Sequence, residues 1–343
     1  MYNRGSRKVF ILKVSFTGAP EFMDRNVGYG EASYHIFEEF KKNDIECLIG
    51  SPQAKIGISF VQPDQYAFGR KQYRIGYTPW ESTGIFESWA KPLQSGIDEL
   101  WTTSPWCGEM FKEHTDKPIF VYQHGVEDDW IPLKRTISPE RPFRFLHVGE
   151  PAYRKDAQMV VRAFVQLFGN NPNYELILKC SNINTTTIQD PTNGKINGSP
   201  GAFYPNIKTI ESFISNEQMN GLYDLCDAFV YPSWGEGFGF NPLQAMAKGL
   251  PTICTSAWAS YARYITAPLN SERASSHWPT IHPGDMYRPN YEQLVHYMKD
   301  LTENYETYSE LAYKNSFLVH KDYSWEKVTK PAILRLEEIS KNL

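Results

Sequence analysis

The chain has 343 residues, 41% hydrophobic and 22% charged, which excludes a disordered polypeptide and leaves material for two cores. A formal net charge of −4 argues against a protein that coats nucleic acid or anionic lipid, though it leaves room for a local basic patch. Five scattered cysteines (Cys47, Cys107, Cys180, Cys226, Cys254) show no CxxC or Cys/His spacing, and read as thiols of a reducing, cytoplasmic compartment. No apolar run approaches the ~20 residues of a membrane span, and the basic start MYNRGSRK leads into a short strand-like run, so neither a transmembrane segment nor a signal peptide is expected.

Val9 to Phe16 (VFILKVSF) reads as a buried strand. The loop TGAPEFMDRNVGYG follows, ending in Gly28 and Gly30, and then a helix from about Glu31 to Lys42 with Ile36, Phe37 and Phe40 on one face. Short strands recur at Glu46 to Ile49, Ile56 to Val61, Arg74 to Tyr77, Glu99 to Thr102 and Ile119 to Tyr122, with helical stretches around Glu87 to Ser95 and Pro105 to His114. Alternating strands and helices with short turns imply a largely parallel, doubly wound sheet. Glu127 to Pro142 (EDDWIPLKRTISPERP) has three prolines, many charges and no period, and reads as an interdomain linker. The pattern then restarts: strand Phe143 to Val148, turn GEPAYRKD, helix Ala157 to Phe168, strand Leu176 to Lys179. Asn182 to Ala202 is rich in Asn, Thr, Gly and Pro and reads as a surface excursion.

Glu217 to Cys226 reads as a helix capped by Ser215 or Asn216, and Asp227 to Tyr231 as a buried strand. The stretch Tyr231 to Thr255 (YPSWGEGFGFNPLQAMAKGLPTICT) then organises the chain as strand, glycine-rich loop, helix, strand. Asn241 stands at an N-cap position, Pro242 in the first turn, Gly249 past the end and Pro251 beyond it. Such a loop gathers backbone N–H groups and one carboxylate, Glu236, at a strand end beside a helix N-terminus, which favours an anion or polar ligand. Trp258 to Asp285 reads as irregular, and two or three helices follow from Asn290, the last from about Ser324.

The run EGFGFNPLQAMAKGLPTI resembles the signature of family 4 of the retaining glycosyltransferases: a Glu, GFG, a Pro, a second Glu eight positions after the first, and A-M-A-x-G-x-P. Every element is present except the second Glu, which is Gln244. GYTPWES, TTSPWCGEMF, YQHGVEDDW and the Trp325 segment resemble further landmarks of that family, with Gln123 where a proline is usual. The resemblance implies an α/β protein of GT-B fold, with two Rossmann-like, doubly wound parallel-sheet domains facing a cleft. It assigns residues 1–135 plus 322–343 to an acceptor-side domain with a C-terminal crossover helix, and 140–321 to the nucleotide-sugar-binding domain.

On this resemblance Lys155, with Arg154 beside it, stabilises the departing nucleotide diphosphate; the usual Arg after the strand's glycine is replaced by Glu150. Glu236 holds donor-sugar hydroxyls, Gly237, Phe238 and Gly239 offer backbone N–H groups, and Gln244 stands where a Glu grips the ribose. Gly28 and Gly30 resemble the loop that meets donor phosphates or acceptor, and Glu81 sits near where many relatives carry a His touching the donor sugar. For His124, at a strand end, a structural and an active role both fit. Asp128 and Asp129 lack the context of a DxD metal motif, and no His/Cys cluster is evident, so no metal is expected; nor is a cofactor, the nucleotide sugar being a substrate.

The implied reaction is retaining, metal-independent transfer of a sugar to an acceptor hydroxyl on a saccharide or glycan. A hydroxylated nucleobase in DNA is the second acceptor class, because Arg25, Arg70, Lys71 and Arg74 interleave with Tyr66, Phe68, Tyr73 and Tyr77. Two other classes compete: a glycosidase using Glu81 and Glu236 as its carboxylate pair, and a non-catalytic sugar-nucleotide-binding protein, which Glu150 and Gln244 favour. Acceptor walls are expected from Thr17 to Gly30, Tyr77 to Phe86 and Pro105 to Phe111.

Overall fold

The computed structural model describes residues 12–18, 28–150, 152–180, 188–190, 194–196 and 204–343. Six parallel strands form the first sheet: β1 (Leu12–Gly18), β2 (Ile45–Ile49), β3 (Ile56–Phe60), β4 (Tyr73–Tyr77), β5 (Glu99–Thr102) and β6 (Ile119–Val121), in the order β2-β1-β3-β4-β5-β6. Helices α1 (Gly28–Lys42), α2 (Glu87–Lys91) and α3 (Pro105–Phe111) connect them. All five residues of β3 and all four of β5 are buried, as expected of parallel strands covered on both faces. The start of the first strand, Val9 to Ile11, and most of the loop after it lie outside the described residues. Gly28 and Gly30, expected in that loop, belong to the first turn of α1 instead.

The second sheet repeats the plan with β7 (Phe143–Val148), β8 (Tyr174–Lys179), β11 (Ile207–Ile210), β12 (Ala228–Tyr231), β13 (Thr252–Thr255) and β14 (Ala267–Leu269), in the order β11-β8-β7-β12-β13-β14, again parallel. A two-stranded antiparallel hairpin, β9 (Ile188–Asp190) with β10 (Gly194–Ile196), lies within the excursion before β11; the rest of Asn182 to Ala202 is outside the described residues. The helices are α4 (Ala157–Phe168), α5 (Asn216–Asp224) and α6 (Phe240–Ala247). Ser215 caps α5 in a capping box with Gln218, a device worth about 1 kcal/mol. Asn241 does not cap α6. Gly239, at φ +83, holds that position, and Asn241 lies inside the helix with its amide donating to the Val148 carbonyl at 3.0 Å.

Trp258 to Asp285 is not irregular throughout. It contains β14 and one arm of a hairpin, β15 (Ser271–Ser275) with β16 (Asp285–Pro289). Three helices close the chain: α7 (Tyr291–Glu303), α8 (Tyr305–Tyr323) and α9 (Trp325–Lys341), the last capped by Ser324. On α9, Trp325, Ala332, Leu336 and Ile339 pack into the first sheet's core with Val14, Phe16 and Ile36. Arg335 of α9 also ties down the buried Glu99 carboxylate of β5 at 2.7 Å. The final helix therefore returns to the first sheet.

The 127–142 stretch is strand-free but not loose. Trp130 is buried edge-on against Tyr223 of α5, and the buried Arg135 guanidinium donates to the Asp224 and Cys226 carbonyls. The charges and prolines that mark a linker in sequence here hold one fixed path.

Candidate active site

In the second sheet the connection from β7 leads to β8 on one side while β12 lies on the other. The strand order reverses between β7 and β12, and ligands of open α/β sheets sit at such a point, beyond the strands' carboxyl ends. The loop after β7 carries Arg154 and Lys155, and the loop after β12 carries Ser233 to Gly239.

These loops meet on one atom. Glu236 Oε1 accepts from Arg154 Nη1 (2.7 Å), Lys155 Nζ (2.7 Å), Ser233 Oγ (2.7 Å) and Tyr231 OH (3.0 Å). Lys155 Nζ also donates to Tyr231 OH at 2.6 Å. Burial alone would raise the Glu236 carboxyl, but the charges of Arg154 and Lys155 hold it at about 2. Burial and the Arg154 charge lower Lys155, while Glu236 opposes them. Each charge is thus buried only because its partner is.

Arg154 is the member that reaches open space. It lines a cavity of about 540 Å³ with Glu81, Trp80, Phe86, Glu150, Trp278 and His282, among others, whereas Lys155 and Glu236 lie behind it at 8% and 5% exposure. Its Nη2 is 3.3 Å from Glu150 and 3.5 Å from Glu81. Gln244 and Gly28 line a second cavity of about 300 Å³, with Glu31, Glu127, Lys179 and Phe213.

The glycines of the loop serve close approach between the two sheets. A Cβ on Gly235 would stand 2.1 Å from the Glu81 carbonyl oxygen, and one on Gly237 2.4 Å from Pro79 Cβ. The Gly237 carbonyl accepts from Thr103 Oγ1 at 2.7 Å across the same junction. Among the described residues, no acceptor meets the N–H groups of Gly237, Phe238 or Gly239. The Phe238 ring itself is core, packed against His124, Phe240 and Tyr261. Gly30 is buried in α1.

Several site residues escaped the sequence reading. Tyr231 and Ser233, which anchor Glu236, carry a local signal: hydroxyls at a strand end beside a glycine loop. His282, 3.6 Å from Glu81, and Trp278 carry none, because β15–β16 pairing brings them across from a stretch without local pattern. His124 is buried among Phe60, Tyr77, Phe238, Phe240 and Trp325, and burial lowers it to about 3, so it is neutral.

Among the described residues, Glu31, His35 and Glu127 form a group with metal-ligand character, their donor atoms within 4.8 Å of one another. His35 Nε2 stands 3.0 Å from a carboxylate oxygen of each Glu. Burial lowers the imidazole, but bonds to Glu127 and Glu31 raise it to about 9.

Residues 142–267 match the family model described as "Glycosyl transferases group 1". The matched stretch runs from β7 to the start of β14. The chain is similar over 41 residues, at 46% identity, to "Serotype-specific mannosyltransferase WbdA" of Escherichia coli, covering 12% of this chain. The chain is similar over 126 residues, at 25% identity, to "O-antigen chain mannosyltransferase B" of Escherichia coli, covering 35% of this chain. The matches span only 5% and 28% of those proteins' own lengths. The solved structure of HepE from Anabaena, in complex with UDP-glucose, aligns with a TM-score of 0.64 at 11% identity, covering 96% of this chain and 100% of that one. The fold is GT-B, with the stretch that matches the family model built on the second sheet. No described helix is long and apolar enough to cross a membrane.

Proposed function

We propose that the protein is a retaining glycosyltransferase that moves a sugar from a nucleotide-sugar donor to a hydroxyl of a saccharide or glycan, without a metal. The observation that carries this reading is the convergence of Arg154, Lys155 and Glu236 at the reversal point of the second sheet. Two relatives are named mannosyltransferases, and a protein of the same fold binds UDP-glucose, which supports a hexosyl donor. Gln244, where the family resemblance puts the ribose contact, lines the 300 Å³ cavity, which supports placing the nucleoside end there. The domains divide as 1–135 with 322–343 on the acceptor side and 140–321 on the donor side; α9 packing on the first sheet supports that split. Five free cysteines, four of them buried, support a cytoplasmic setting.

As the glycosidic bond breaks, charge grows on the leaving diphosphate. Arg154 and Lys155 stabilise it more in the transition state than in the ground state, which is what accelerates the step. The departing phosphate takes the acceptor's proton, so no separate base is assigned and no metal is needed. The glycosidase reading loses its second carboxyl: Glu236 is held at about 2 with four donors on Oε1, so it is neither an acid nor a free base. A DNA acceptor lacks support too, since Arg74 is committed to Asp98 (2.8 Å), Tyr73 donates to Glu99 and Tyr77 is buried. Arg25 lies outside the described residues. Glu150, in the position where the family carries an Arg, favours a non-catalytic donor binder as the second reading. Thermal-shift screening of nucleotide sugars, followed by donor hydrolysis without acceptor, separates the two. An enzyme releases nucleotide diphosphate, and a binder only shifts its melting point.

A further inference from the structure

The 540 Å³ cavity has walls from both sheets, and one of them is the connector of the β15–β16 hairpin. Residues 276–285 run from β15 into β16 and bond to the loop after β4: Gly84 N–H donates to the Pro283 carbonyl (3.0 Å), Thr83 N–H to the Asp285 carbonyl (2.9 Å), and Asp285 N–H to Thr83 Oγ1 (2.8 Å). Gly84 and Gly284 touch so closely that a Cβ on either would meet backbone within 3.0 Å. This strap carries Trp278, 36% exposed, and His282 into a space faced by Trp80, Phe86 and Glu81. The Trp80 and His282 rings lie 5.4 Å apart, and Tyr153 braces Trp278 edge-on at 5.4 Å.

We propose that this strap is an acceptor clamp, and that it selects an uncharged sugar ring stacked on Trp278 with its hydroxyls held by the Glu81–His282 pair. Aromatic faces suit the apolar side of a pyranose, and the carboxylate and imidazole supply hydrogen-bond partners for its hydroxyls. Arg154, the cavity's guanidinium, is already shared among Glu236, Glu81 and Glu150. Among the described residues Arg154 is the guanidinium of this cavity, and on the glycosyltransferase reading it serves the leaving diphosphate, so a phosphorylated acceptor would face Glu81 and Glu150 as well as the donor's own phosphates, and like charges at such distances repel. The clamp rests on the glycosyltransferase reading for its place in the reaction, but its sugar binding can be measured without a donor.

Saturation-transfer NMR with methyl α-mannopyranoside and, separately, mannose 6-phosphate tests it. Transfer from aromatic protons to the neutral glycoside is expected, with at least fivefold less to the phosphosugar. Trp278→Ala and His282→Ala should each reduce the neutral signal at least fivefold while keeping the wild-type melting point. The nucleotide-sugar thermal shift should persist in both variants. Equal or stronger transfer to mannose 6-phosphate, no transfer to either sugar, or full transfer in Trp278→Ala overturns the clamp. Loss of the nucleotide-sugar shift in the wild type would instead count against the glycosyltransferase reading.

Discussion

At the residue scale the site is a balance of buried charge. On the proposed glycosyltransferase reading, Lys155→Ala removes one of two cations beside the leaving group, and loss of one such contact costs ~2.7–4 kcal/mol in the transition state. Turnover should fall about a hundred- to a thousand-fold with a smaller change in KM, as steady-state kinetics would show. Full activity in a folded Lys155→Ala protein would place the phosphate site elsewhere. Glu150 acts in the opposite sense. It is 59% exposed and 3.3 Å from Arg154, so it drains positive charge from the donor site through a screened contact. An exposed pair of this kind is worth ~0.2–1 kcal/mol. Glu150→Gln should therefore tighten the donor's apparent Kd by roughly two- to fivefold in calorimetry, and a weaker Kd would refute that assignment.

At the element scale, three pieces of chain meet at His35: α1, the start of the 127–142 stretch, and the N-terminus of α9, whose Trp325 stacks on the imidazole at 4.9 Å. The folded imidazolium titrates at about 9 against an ordinary 6.5. A raised folded value means its contribution is complete below pH 6.5 and is lost as pH rises through 9. Wild type should lose melting temperature across that window, and His35→Gln should flatten the dependence; a parallel decline in both would refute it. The loops obey sterics more than charge. Gly235→Ala places a methyl 2.1 Å from the Glu81 carbonyl, and overpacking of this kind costs ~1–3 kcal/mol. Differential scanning calorimetry should show that loss, whereas Gly221→Ala in α5, where nothing lies within 4 Å, should be neutral or stabilising. Equal melting points would mean the junction is slack.

At the scale of the whole molecule, much of the architecture was legible. Parallel strands buried on both faces leave apolar runs such as Ile56–Phe60 and Ala228–Tyr231, and β7 and α4 fall where their patterns begin and end. The glycine loop drew attention to Glu236, and the turn before α4 to Arg154 and Lys155. Three things were not legible, for physical reasons. Asn241 satisfies an N-cap pattern, but Gly239 alone takes the left-handed backbone that starts α6, so composition misplaced the cap. The hairpin carrying Trp278 and His282 is defined by pairing across ten residues or more, which leaves no local period. Gly237 reads as a residue offering its N–H to a ligand, yet what it and Gly235 approach is a loop of the other sheet, a contact no nearby residue announces.

Transfer with retention at the anomeric carbon, driven by fixed protein cations and no metal, leaves its mark on the configuration of the product. The donor that gives the largest thermal shift is incubated with a saccharide acceptor and excess EDTA, and the first-formed product is read by proton NMR. Unchanged turnover and a product with the donor's anomeric configuration are expected. An inverted product, or turnover abolished by EDTA, would contradict that mechanism.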